Sequence, residues 1–275
     1  MIGVCLKWVD QRPEFDALGV PASPDARFAG ISAADRAALE WALRCCDAWA
    51  ATTPHDVVVI TVGPPEANAT LRDALSAGAT RAIRIDLPFG APSHIVASCL
   101  ATQLTGASLV WCGDYSLDRG TGSVPAFIAG ELGFAQALGL VDIDLRSATN
   151  TTALRRLDGG RRERLAIADK TVASVEGSTA MLRRAPLRAM LEQQHIDIAA
   201  GPVPMASDVV PMLARPYRPR PRVLSAPAGA NAFERVRSIT AVHAEVAHGE
   251  TIVLDPAAAA ARIIDTLRDW GYPTH

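Results

Sequence analysis

Four short apolar runs, Ile2 to Leu6, Val57 to Val62, Ala82 to Ile85 and Leu109 to Cys112, recur through the first half of this 275-residue chain. Near-continuous apolar runs of this length, interrupted here only by Thr61 and Arg84, belong to strands buried on both faces. Between them lie segments of helical period. Ser32 has the chemistry of an N-cap, Asp35 falls in the first turn behind it, and Leu39, Leu43, Cys46 and Trp49 recur on one face. Thr70 to Ala77 ends at Gly78 as a C-cap, and Ser93 reads as the cap of a third helix carrying Ile95, Val96, Cys99, Leu100 and Leu104. The order is βαβαβαβα. Such alternation predicts an α/β fold with a doubly wound parallel sheet, and sheets of this kind bind ligands beyond the carboxyl ends of their strands.

The fourth unit, Ser108 to Phe134, carries the clearest site signal. Its strand stops at Gly113, polar loop residues follow with Gly120 and Gly122 among them, and Pro125 suits the first turn of a helix over Ala126 to Leu132. Strand, glycine-rich loop and helix start together aim backbone N–H groups and a positive dipole end at one point, which favours phosphate. Glycines also serve any βα turn, so the pattern alone leaves a plain turn open.

Past Gly139 the period changes. Thr152 to Leu157 and Arg161 to Ile167 flank Asp158-Gly159-Gly160 as a β-hairpin, and Thr171 to Val175 reads as one further strand. Met181 to Gln194 reads as helical with an interruption at Pro186. Prolines and arginines then alternate from Gly201 to Pro227, a composition for a linker or an arm on a partner rather than for core. Pro256 opens a final amphipathic helix, through Ile263, Ile264, Leu267 and Trp270, that Gly271 stops. Two domains are expected: residues 1–200 as a nucleotide-binding α/β domain, and residues 201–275 as an extended C-terminal arm ending in a helix that binds a partner subunit.

Twenty-seven basic against 29 acidic residues give a formal charge of -2, so nothing marks a nucleic-acid binder. The five cysteines, Cys5, Cys45, Cys46, Cys99 and Cys112, sit in apolar segments with no CxxC, which reads as reduced core thiols, a cytoplasmic protein and no metal site. Met1 to Val9 is too brief for a signal peptide or a membrane span. The chain has no GxSxG, HExxH, GxxxxGK[ST] or GxGxxG after a predicted strand, and its six histidines do not cluster.

The segments VCLKWVD at 4 to 10, SAADRAALEWAL at 32 to 43, VITVG at 59 to 63, TLRDALSAGATRAIRI at 70 to 85 and LVWCGDYSLDRGTG at 109 to 122 resemble the beta subunit of electron transfer flavoproteins. The likeness continues through LDGG at 157 to 160 to the last helix. It implies an adenine-nucleotide alpha-hydrolase-like fold without hydrolase activity. It also implies an electron carrier with no catalytic site of its own, paired with an alpha subunit and fed by a dehydrogenase. FAD would be shared with the alpha subunit, and AMP, or a second FAD in bifurcating members, would lie in this chain. Carried residue by residue, Cys5 would back the adenine, Ser32 stands where the family has an asparagine, and Val62 and Gly63 match the second strand end near the nucleotide. Gly113, Asp118, Thr121, Gly122, Ser123 and Val124 match the phosphate loop.

Departures are informative. Arg119, Gly120, Ser123 and Pro125 replace acidic residues, a glutamine and a glycine-containing pair, leaving phosphate to backbone N–H groups and Arg119. In the partner-recognition segment Leu187 matches the family leucine, but Arg188 replaces proline and Glu192-Gln193-Gln194 replaces lysines, which points to a different electron donor. Divergent beta subunits of this kind occur with the redox cofactor mycofactocin. A competing expectation is a stand-alone, homodimeric, non-redox ATP- or AMP-binding module like the universal stress proteins. An ATP-pyrophosphatase-type enzyme needs an SGGxDS loop after the first strand, and Lys7-Trp8-Val9-Asp10 does not supply it.

Overall fold

The first strand, β1 (Ile2–Cys5), shows how the sheet is dressed. Its alternate residues Ile2 and Val4 belong to the core on one face, and Cys5 belongs to the core on the other. Gly3 shares the second face, where a Cβ would come within 2.2 Å of Leu104 Cδ2, so glycine is what lets the helix bearing Leu104 approach the sheet. The structure, a computed structural model, describes residues 1–12, 27–51, 54–88, 90–146, 150–202, 227, 229–240 and 251–272.

After β1 come β2 (Val9–Asp10), β3 (Ala29–Gly30), α1 (Ala33–Trp49), β4 (Val57–Val62), α2 (Asn68–Ala77), β5 (Arg81–Ile85), α3 (Ser93–Leu104), β6 (Leu109–Gly113) and α4 (Val124–Leu132). Then follow β7 (Ala135–Leu145), β8 (Thr151–Arg156), β9 (Arg162–Ile167), β10 (Thr171–Val175), α5 (Leu187–Gln193) and β11 (Ala199–Gly201). Among the described residues these strands build a nine-stranded sheet ordered β11-β5-β4-β1-β6-β10-β7-β8-β9, with β2 and β3 pairing separately. All pairs from β11 to β7 are parallel; β8 and β9 continue antiparallel. Side chains of α1 and α2 fill the core on one face, and those of α3 and α4 fill it on the other, as a doubly wound sheet requires.

The helix starts follow local chemistry. Ser32 caps α1 by accepting from the Asp35 N–H at 3.0 Å, as its sequence position predicts. Ser93, expected as a cap, instead opens α3 from inside its first turn, because the extended Pro92 takes the cap position. The helix expected over Met181 to Gln194 shortens to α5, since Pro186 is extended at its start and the chain before it is tied to α1. That tie is a charged strap. Buried Glu40 accepts from the Arg183 backbone N–H, Nε and NH2, and from Arg44 Nε, while Trp41 Nε1 donates to Thr179 Oγ1 at 3.1 Å. Burial opposes the Glu40 charge, but the Arg183 and Arg44 guanidiniums outweigh it and hold the carboxyl below its ordinary range.

The chain divides into two compact units, Met1–Tyr217 and Arg218–His275. The second unit contains α6 (Ala232–Thr240), with Phe233, Val236 and Ile239 exposed, and α7 (Pro256–Asp269). Asp255 caps α7 by accepting from Ala257 and Ala258, and Gly271 at φ +79 lies just past its end. The proline-rich run at 203–226 lies outside the described residues.

Candidate functional site

A cleft of ≈ 920 Å³, part of it open to solvent, lies at the carboxyl ends of β1, β4 and β6, on the face covered by α3 and α4. Its apolar floor is made by Cys5 and Leu6 after β1, Val62 of β4, Val96 and Leu100 of α3, and Cys112 of β6. The loop from Gly113 to Ser123 and the start of α4 form one wall.

Of the residues expected at a site, Cys5, Val62, Gly113, Asp118, Arg119, Thr121, Gly122, Ser123 and Val124 line this cleft. Ser32, Gly63 and Gly120 do not. Ser32 is buried beneath the cleft as the α1 cap, Gly63 donates its N–H to Ile85 and accepts from Arg84, and Gly120 donates its N–H to Ser116 as part of the loop's internal turn. Leu187 and Arg188 lie apart on α5, both strongly exposed, where Arg188 pairs with Glu192 at 2.7 Å.

Gly122 fixes the shape of the wall. Its φ is +57, and a Cβ would stand 2.1 Å from the Asp114 carbonyl oxygen, so any side chain would force the loop apart. On either side of it Thr121 Oγ1 and Ser123 Oγ lie 3.0 Å apart, and in the first turn of α4 the Val124 and Ala126 N–H groups lack intrahelical partners, Pro125 having no N–H. The Arg119 guanidinium donates to the carbonyls of Gly90 and Ala91, so the side chain expected to meet phosphate is also a tie to the β5–α3 loop.

Two lining residues carry chemistry that the sequence reading did not place at the site, Lys7 and Asp35. Lys7 Nζ reaches both carboxylate oxygens of Asp118, at 2.6 and 2.7 Å. Burial opposes the Asp118 charge, but the Lys7 ammonium and the Ser116 hydroxyl more than offset it and hold the carboxyl below its ordinary range. Asp35 is buried beneath the cleft, where its carboxylate accepts from the Lys7 N–H at 3.1 Å and from the Ser32 and Gly113 N–H groups, tying the ends of β1 and β6 to the α1 N-terminus. The rule that sites gather at strand carboxyl ends would have flagged Lys7, two residues past β1; Asp35 looks in sequence like any first-turn acid.

Burial raises Asp35 from 3.8 to about 6, and the Lys7 N–H, the Ser32 hydroxyl and the Ser32 and Gly113 N–H groups oppose it only in part. A folded-state pKa above the unfolded one means that the folded state resists ionisation. Asp35 therefore contributes most stability below about pH 4, and that contribution is lost as pH rises towards 6. Relative to Asp35→Asn, the parent should lose about 2 kcal/mol of stability between pH 4 and pH 7.5. Urea unfolding of both proteins across that range checks the sign; a constant difference would contradict it.

All five cysteines are free, four of them buried, and burial pushes the Cys45 and Cys99 thiols up. Among the described residues no three His, Cys, Asp or Glu side chains converge as a metal site, and no helix is long and apolar enough to cross a membrane.

The family model described as the electron transfer flavoprotein domain matches residues 26–194, well over half of the chain. The chain is 28% identical over 207 residues to electron transfer flavoprotein subunit beta of Chromohalobacter salexigens, covering 73% of this chain and 75% of that one. With the same subunit of Methylophilus methylotrophus it shares 28% over 141 residues, covering 50% and 53%, and with Protein FixA of Sinorhizobium fredii 32% over 140 residues, covering 46% and 49%. The chain thus spans about half the length of two of these relatives and three quarters of the third. With a parallel α/β core, a glycine-bent loop over the ends of β1 and β6, and this match, the chain belongs to the electron transfer flavoprotein domain family, as a beta-type member.

Proposed function

We propose that the chain is the beta subunit of a heterodimeric electron transfer flavoprotein, passing electrons from a dehydrogenase through FAD shared with an alpha subunit, and that its cleft holds AMP or a second FAD. The observation that carries the nucleotide part is the pairing of an apolar floor with a wall of loop N–H groups, hydroxyls and the α4 start. That donor set fits a phosphate-bearing nucleotide: Cys5, Val62, Val96 and Leu100 would pack on a base, and Thr121, Ser123 and the Val124 and Ala126 N–H groups at the start of α4 would meet phosphate. When bound, the flavin supplies the electron-accepting and electron-donating chemistry. The residues of this chain then act by holding a nucleotide, keeping water out and shaping the docking surfaces, which agrees with a carrier rather than a catalyst. Exposed Leu187 and Arg188 on α5 are where the dehydrogenase would dock.

Co-expression with an alpha subunit should give a yellow heterodimer, with FAD and one adenine nucleotide per beta chain released on denaturation and identified by mass. A colourless complex without FAD would sink the redox reading. A stable ATP-loaded homodimer of the chain alone, seen by sedimentation, would favour the universal-stress-protein-like alternative.

The unit boundary sharpens a truncation test. Because Gly201 belongs to β11, which pairs with β5, cutting at 201 damages the sheet edge, whereas stopping after Tyr217 removes only the second unit. The chain ending at Tyr217 should keep its thermal unfolding transition and lose alpha-subunit association by at least tenfold in a pull-down titration. Undiminished association would remove the arm from the interface.

A further inference from the structure

Past the Asp114 N–H bond to Val175, the loop after β6 is tied by two adjacent side chains to different parts of the cleft. Asp118 is held by Lys7, which follows β1, and Arg119 by the carbonyls of Gly90 and Ala91, which follow β5. In the sheet order β5-β4-β1-β6, three strand spacings separate β6 from β5, about 14 Å. The loop and the segment between β5 and α3 thus meet at a cleft whose floor includes Cys5 of β1 and Val62 of β4. The three anchoring partners, Lys7, Gly90 and Ala91, line the same cleft as the loop.

The two anchors differ in kind. Arg119 is fixed to main-chain carbonyls. The Lys7 ammonium ends a flexible stem, and its pair with Asp118 is partly open to water, with side-chain exposures of 39% and 23%. A bridge of that kind holds while undisturbed and yields to competing charge or salt. Within the loop, Gly120 donates its N–H to Ser116 and the Arg119 N–H bonds Asp118, so residues 116–120 form one tight unit able to move together, with Gly113 and Gly122 at its two ends.

We propose that residues 114–122 are a strap over the cleft and that the Lys7–Asp118 ion pair is its latch: it opens for an anionic ligand to enter and leave, while the Arg119 side stays anchored. The proposal rests on the reading that this cleft takes a ligand. Its first test does not.

Hydrogen–deuterium exchange of the full 275-residue chain reads the strap directly. Lys7→Met and Asp118→Asn should each raise exchange in peptides covering 114–122 by about tenfold, the double variant no further, and the charge-swapped Lys7→Asp/Asp118→Lys variant should recover most of the protection. Peptides from Leu109–Cys112 should be unchanged. Unaltered exchange at 114–122, or a rise spread through β6, overturns the latch. With AMP as the probe, release and association should both quicken about tenfold in the single variants while Kd moves less than threefold. Faster release with unchanged association would instead make Lys7 or Asp118 a plain ligand contact and overturn the proposal. If AMP binds no form of the protein, the AMP reading of the cleft fails, and the exchange data still decide the strap.

Discussion

Replacing Gly122 with valine should empty the cleft. The backbone there has a φ of +57, in the left-handed region that a β-branched residue adopts at a cost of about 1–2 kcal/mol or more. The larger effect is steric: the new Cβ would lie 2.1 Å from the Asp114 carbonyl oxygen, a main-chain atom that cannot swing aside, so residues 114–122 have to separate. The wall that presents Thr121, Ser123 and the α4 start then loses its shape. The nucleotide released per chain on denaturation should fall by at least tenfold, and the unfolding free energy by about 2–4 kcal/mol. Gly120→Ala is the matched control. Its φ is +64, but its Cβ would find nothing nearer than 3.9 Å, so it should cost only about 1 kcal/mol and leave nucleotide content intact. Full nucleotide content in the valine variant would reduce Gly122 to a turn residue.

Glu40→Ala should be the most damaging substitution outside the cleft. The carboxylate is 5% exposed and is the acceptor for four N–H groups, three from Arg183 and one from Arg44. Removing it leaves the Arg183 backbone N–H and much of its guanidinium without their acceptor against α1; Asp47, 2.9 Å from Arg183 NH2, takes up part of that charge. Arg183 is itself about one third exposed, so water recovers some of the loss, and about 2–3 kcal/mol is the expected cost. Chemical denaturation measures it. Glu40→Gln, which keeps an acceptor but no charge, should lose roughly half as much. A change below 0.5 kcal/mol in the alanine variant would show that the strap is held by Trp41–Thr179 and packing instead.

Local elements were legible because each is written in neighbouring residues. The buried-strand runs, the Ser32 cap, Gly78 and the Asp158-Gly159-Gly160 hairpin all stand where their residue chemistry puts them. The strand β7 was not legible, for a physical reason. Its Ala135 to Leu140 part pairs in parallel with β10 and its Leu140 to Leu145 part antiparallel with β8, with register shifts in both pairings, so no single period runs through it. The site was legible where it is continuous, from Gly113 to Val124. It was hidden where residues meet from afar, as with Lys7 and Asp118, 111 positions apart, and with Asp35 beneath the end of β1.

The place of β10 governs how this protein can be made. Among the described residues only the three-residue β11 follows it in the chain, yet it sits between β6 and β7, both of which emerge before it. Until Thr171–Val175 is synthesised, the nascent chain has two half-sheets, each with an open hydrogen-bonding edge. Insertion of five fully buried residues closes both edges at once and joins the cleft-bearing half to the antiparallel half. Assembly of this sheet is therefore non-local and late, and the interval before closure is when the chain is most exposed to chaperones, proteases and its own copies.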